Sequence, residues 1–220
     1  KKHDITFETH GIDAYNVKSH PGAGYFGTHR GNFKKARVLV LADPHGVDDW
    51  NTSRALTGGR GQYIHGMMED LGVGQDYLVI KTAPFGMDGA TKAEWEFVRK
   101  NTEKYREALI AEALKNKLEL IMVDGPIAKA EMKRILAKGK VTGISVVEIT
   151  RSDLTDYAEG IIEAGEQASK LIRGGGKITG RHADIPTAQL CHRSRIYEGT
   201  GGVDLTIDSL DSVDKSGKVI

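Results

Sequence analysis

The chain has 220 residues, a formal net charge of +1 at pH 7 and 28% charged residues, with a mean hydropathy of −0.37. This composition fits a soluble globular protein with room for one large α/β domain, and it neither demands nor forbids nucleic acid. No apolar run approaches a membrane span, and the start, Lys1-Lys2-His3-Asp4, lacks the apolar core of a signal peptide. Cys191 is the single cysteine, which excludes an intrachain disulfide, a cysteine-held iron–sulfur cluster and a four-cysteine zinc site. A reducing, cytoplasmic setting is the expectation.

Residues 1–32 are rich in Gly and His and weakly periodic, and read as an irregular N-terminal arm. Their histidines (His3, His10, His20, His29) are too scattered for a compact metal-ligand set, and no metal or other cofactor is expected. Val38 to Leu41 is an unbroken apolar run, the pattern of a strand buried on both faces. Gln62 to Leu71 reads as a helix. Tyr77 to Thr82 is a second buried strand, Lys92 to Lys117 a helix, and Leu118 to Val123 a third strand. Pro126 opens a helix to about Ala137, Ile144 to Ile149 is a fourth strand, and Ser152 caps a helical segment to Ile172. Gly174-Gly175-Gly176 follows a helix and reads as its stop. Ile185 to Cys191 is expected as a last strand before the 199–220 tail. Alternating strands and helices predict a three-layer α/β/α domain over 33–198 with a mainly parallel central sheet.

The carboxyl ends of the strands gather the chemistry. Ala42-Asp43-Pro44-His45-Gly46 follows the first strand, Thr82 and Pro84 the second, Asp124 the third, and His192-Arg193-Ser194-Arg195 the last. In open α/β sheets, ligands bind along that rim. Gly58-Gly59-Arg60-Gly61 precedes a helix, where backbone N–H groups favour anions. It matches neither the P-loop nor the G-x-G-x-x-G pattern, and a turn requiring positive φ is the plain alternative. Asp43 beside Pro44 is equally readable as a turn carboxylate, and Cys191 as a core residue.

Taken in order, these segments resemble the uracil-DNA glycosylase superfamily. Ala42-Asp43-Pro44 sits on its Q-D-P motif. Ala55 to Gln62 sits on an F-V-G-x-x-G-like stretch, Leu118 to Lys129 on the middle strand and turn, and His192-Arg193-Ser194 on H-P-S. The resemblance covers roughly 37–137 and 178–196. It implies that fold, a DNA partner, and hydrolysis of the N-glycosidic bond of a base flipped from the stack. Asp43 would then position water and stabilise the oxocarbenium-like sugar, and His192 would stabilise charge on the leaving base. Gly58, Gly59, Arg60, Gly61, Arg193, Ser194 and Arg195 would grip phosphates. Ala42, Pro44, His45, Leu56, Thr82 and Pro84 would line the base pocket. Leu56 stands where many members have a stacking Phe and Thr82 near the Asn that reads uracil. Arg193 replaces the Pro of H-P-S, and His45 replaces the usual Tyr or Gly. A slot altered in this way points to a damaged or modified base, such as a bulky modified pyrimidine of phage DNA, and to a defence role. A hydrolase or transferase acting on a free nucleotide or nucleoside, and a non-catalytic DNA-binding module, are the competing classes.

Overall fold

The structure is a computed structural model that describes residues 29–44, 46, 48–49, 55–83, 90–150 and 156–186. Within them the strands are β1 (His29–Gly31), β2 (Val38–Ala42), β3 (Tyr77–Lys81), β4 (Leu120–Asp124) and β5 (Ser145–Ile149). The helices are α1 (Gly59–Asp70), α2 (Lys92–Leu114), α3 (Pro126–Ala137) and α4 (Tyr157–Ser169). The five strands form one sheet in the order β1-β3-β2-β4-β5, parallel except for β1, which runs antiparallel to β3.

The apolar runs explain the sheet. Every residue of β2, β3 and β4 is buried, as strands covered on both faces require. Val38, Val40, Tyr77, Val79, Leu120 and Met122 point to one face, where Ile64, Met67 and Met68 of α1 and Tyr157, Ile161 and Ala164 of α4 cover them. Leu39, Leu41, Leu78, Ile80, Ile121 and Val123 point to the other, under Leu109 and Ile110 of α2 and Met132 and Ile135 of α3. The architecture is therefore three layers, with the central strand β2 crossing to β3 on one side and the chain returning to β4 on the other. That reversal is a topological switch point, and in such sheets it opens a crevice at the strand carboxyl ends.

Several boundaries differ from the sequence reading. Residues 29–31, expected to be arm, form the edge strand β1, held by Arg30. The Arg30 Nε donates to Ala55 O at 2.7 Å and its Nη1 to the Tyr77 hydroxyl at 2.6 Å, partners far away in sequence. Helix α1 begins at Gly59, so Gly58 is its N-cap and Gly59 and Gly61 lie in its first turn rather than in a loop before it. Asp156 takes the N-cap position of α4, and the buried stripe Tyr157, Ile161, Ala164, Ala168 sets where that helix starts; Ser152, the expected cap, lies outside the described residues. Ile185 and Pro186 carry no regular secondary structure, and the rest of that expected strand lies outside the described residues. Residues 179–183 run back along α1: Thr179 N donates to Asp70 Oδ2 at 2.7 Å and Ala183 N to Gln62 O at 3.1 Å. No helix among the described residues is long and apolar enough to cross a membrane.

Candidate functional site

The register of the sheet lines up the strand ends. Ala42 of β2 pairs with Lys81 of β3 on one side and Asp124 of β4 on the other. Asp43 therefore leaves the central strand between a cation and a carboxylate, directly at the switch point. A cleft of about 440 Å³ opens there, lined by Asp43, Pro44, Leu56, Arg60, Lys81 and Asp124 together with Gly58 to Gly61 and Asp48 and Asp49. Its size falls in the ordinary range for small-molecule sites.

Asp43 is fixed by the start of α3. Its Oδ1 accepts from Ala128 N at 2.7 Å. Gly125, the N-cap residue, has φ +103°, and a Cβ placed there would meet the Asp43 carboxylate at 2.3 Å. Only glycine lets the carboxylate lie against the helix start. Burial raises the Asp43 pKa above the ordinary value of 3.8. The Ala128 N–H opposes this, nearby Asp124 adds to it, and Arg60 and Lys81 pull the other way. The result is a half-buried, oriented carboxylate that holds its proton more tightly than a surface aspartate.

Arg60, in the first turn of α1, gives its Nη2 to Asp124 Oδ1 at 2.5 Å. Its guanidinium lies 4.8 Å from the centroid of the Tyr157 ring. Burial alone would lower its pKa, but Asp124 and Tyr157 carry the net shift upward. Burial, with the Asp124 charge, holds the Tyr157 hydroxyl well above its usual range. Arg60 is therefore charge-paired with Asp124 through Nη2, while its buried Nε has no hydrogen-bond partner. The carboxylate of Asp48 lies directly over Gly58, where any Cβ would collide with it at 1.9 Å. An acidic side chain already occupies the helix start that the sequence offered to an anion. The cleft carries four carboxylates, Asp43, Asp48, Asp49 and Asp124, against two cations, Arg60 and Lys81. That balance suits positive charge developing on a substrate better than it suits phosphate.

A second buried pair shapes the opposite wall. Lys81 Nζ meets Asp49 Oδ2 at 2.7 Å, with both side chains at most 5% exposed. Asp49 Oδ1 also accepts from Thr57 N at 3.0 Å. Leu56 lines the cleft with φ 55°, a strained conformation for a residue with a Cβ. Arg30 Nη2 holds it by donating to Leu56 O at 3.0 Å.

Of the residues expected at the site, Asp43, Pro44, Leu56 and Gly58 to Gly61 line this one cleft, whereas Ala42 is fully buried in the core beside it and does not line it. Thr82 follows the same rim, but among the described residues it lines a separate cavity beneath α2 and α3. Arg181, on the segment that runs back along α1, is paired with Glu69 at 2.9 Å and Asp70 at 3.1 Å. His45, Pro84, His192, Arg193, Ser194 and Arg195 lie outside the described residues. Nothing in the sequence singles out Lys81, Asp48, Asp49 or Tyr157. Lys81 ends an apolar run like any strand-terminal polar residue, and no local spacing pairs it with Asp49. Among the described residues no group of three His, Cys, Asp or Glu side chains is placed to hold a metal ion.

No family model matches the chain, and no curated protein matches it.

Proposed function

We propose that the protein is a DNA glycosylase of the uracil-DNA glycosylase type, acting on a damaged or modified base turned out of the stack. Asp43 carries the reading. It is a carboxylate held by a backbone N–H, half-buried at the switch point of an acidic cleft. Breaking an N-glycosidic bond builds positive charge on the sugar and negative charge on the base. A fixed carboxylate beside the sugar stabilises the first and accepts a proton from the attacking water. The water oxygen bonds to the anomeric carbon, the C–N bond breaks, and its electron pair leaves with the base. His192, in the role implied by resemblance, would donate to that base. Leu56 in place of an aromatic ring, and Thr82 directed to another cavity, support a base other than uracil. A bulky modified pyrimidine of phage DNA, and hence a defence role, is the specific form of this proposal.

One observation favours a second reading. Arg60 and Lys81 are both engaged by aspartates, so the described cleft offers no unpaired cation for a phosphodiester. A hydrolase or transferase acting on a free nucleoside fits that cleft as well. Base release from DNA containing uracil, hypoxanthine, hydroxymethylcytosine or glucosylated hydroxymethylcytosine, compared with release from the matching free nucleosides, separates the two. Release from DNA alone supports the glycosylase; release from nucleosides alone supports the second reading. Uracil release without activity on the modified DNAs would remove the modified-base form.

A further inference from the structure

On the opposite face of the sheet, a cavity of about 240 Å³ lies between α2 and α3. Trp95, Pro126 and Ile127 give it flat apolar walls. Thr82 lines it from the end of β3; the residue is 2% exposed and its hydroxyl has no hydrogen-bond partner. A buried hydroxyl without a partner is destabilising, and one lining a cavity is a ready donor to a ligand oxygen.

The charges around it have the balance opposite to that of the switch-point cleft. Glu131 takes Arg106 on Oε1 at 2.6 Å and Arg134 on Oε2 at 2.9 Å, so one carboxylate serves two guanidiniums. Arg106 is fully buried and also donates to Thr102. Arg134 is 44% exposed and gives only its Nη1 to Glu131. A guanidinium has five donors in a fork suited to oxyanions, so most of the Arg134 fork stays available. Arg99, beside it, is engaged by two carboxylates: its Nε and Nη2 go to Glu96 Oε2, and its Nη1 lies 3.8 Å from Glu103 Oε2. Neighbouring backbone links the two cavities. Thr82 N donates to Ala42 O at 2.8 Å, and Pro126 opens the helix whose Ala128 N–H holds Asp43.

We propose that this cavity is a phosphate-recognising subsite for one nucleotide unit. Arg134 takes the phosphate oxygens, Trp95 and Pro126 flank the sugar or base, and the Thr82 hydroxyl donates to a ligand oxygen. The identity of the ligand rests on the nucleotide chemistry proposed for the neighbouring cleft. The phosphate belongs either to the phosphodiester of a strand whose next unit enters that cleft or to a free nucleotide. In either case the phosphate anchor sits here and not at Gly58 to Gly61.

The test is titration of isotope-labelled protein with a short single-stranded oligonucleotide and, separately, with dCMP, following the Trp95 indole N–H and the Thr82 amide by NMR. Arg134→Ala, at an exposed position, and the near-isosteric Thr82→Val are compared, with thermal melts confirming that both fold. The expected result is movement of both signals and about tenfold weaker binding in each variant. Movement with the oligonucleotide alone assigns the phosphate to a strand, and Arg134→Ala then lowers the salt slope by about 1. Movement with dCMP alone assigns it to a free nucleotide. Unmoved signals with both probes, or unchanged affinities in both variants, overturn the proposal. If base release is absent from the wild type while either probe still binds here, the glycosylase reading fails and the subsite stands. If release is present and lost in Asp43→Asn while Arg134→Ala and Thr82→Val alter neither KM nor binding, the subsite fails and that reading stands.

Discussion

Gly125→Ala tests whether the start of α3 and the Asp43 carboxylate form one unit. The backbone there has φ +103° and ψ 162°, a region essentially closed to residues with a side chain, and strain of about 1–3 kcal/mol is expected. The new Cβ would stand 2.3 Å from the Asp43 carboxylate, so the carboxylate must move. Moving it gives up the 2.7 Å bond from Ala128 N, worth about 1.5–3 kcal/mol for a charged acceptor. The total is roughly 2.5–6 kcal/mol, which lowers Tm by about 5–24 °C for a chain of this size. Thermal melts of Gly125→Ala, Asp43→Ala and the double variant give a cycle. Without the carboxylate only the backbone strain remains, so Gly125→Ala should be about 1.5–3 kcal/mol milder in the Asp43→Ala background. Additive effects, or an unchanged Tm for Gly125→Ala, would refute the coupling.

The remaining predictions concern charges. Asp43 holds its proton above the ordinary value of 3.8 because it is buried, so its contribution favours the folded state below 3.8 and is lost as pH rises through its higher folded value. Asp43→Asn still offers an oxygen to Ala128 and does not ionise; its Tm should vary less with pH between 3.8 and neutrality than that of the wild type. Glu119 works in the other direction. Its hydrogen bond from Arg37, with Arg173 adding to the effect, depresses its pKa from 4.5 to about 2, so its stabilisation is present above 4.5 and lost as pH falls through about 2. Glu119→Gln should cost roughly 1–2 kcal/mol at neutral pH and progressively less in acid, read by urea denaturation across pH. Glu131→Ala leaves Arg106 buried without its carboxylate and should cost about 3–5 kcal/mol, whereas replacing both partners by apolar residues of similar volume should cost less.

What could be read from the sequence follows from the physics of each segment. Val38 to Leu41, Tyr77 to Lys81 and Leu120 to Val123 are covered on both faces, so burial itself wrote them as apolar runs. Strand β1 had no such mark. It is a polar His-Arg-Gly whose arginine is buried only because Tyr77, Ala55 and Leu56 accept its hydrogen bonds. Asp43 was legible because a carboxylate after an apolar run falls at the carboxyl edge of the sheet. Its anchoring by Ala128 was not, since the two lie 85 residues apart. The Gly58 to Gly61 stretch looked like an anion cradle locally. Asp48 over Gly58 and the Arg60–Asp124 pair reverse that charge, and both arise only in three dimensions. Thr82 was placed on the right rim, but which face its side chain serves depended on the packing of α2 and α3.

The central claim is that Asp43 is a catalytic carboxylate. Abasic-site formation in DNA containing uracil, hypoxanthine, hydroxymethylcytosine or glucosylated hydroxymethylcytosine, with wild type and Asp43→Asn side by side, tests it most directly. The account predicts release of one base by the wild type and a loss of several orders of magnitude in the variant, with the fold and DNA binding retained. Release by Asp43→Asn within about tenfold of the wild type, or no release of any base by the wild type, would contradict it.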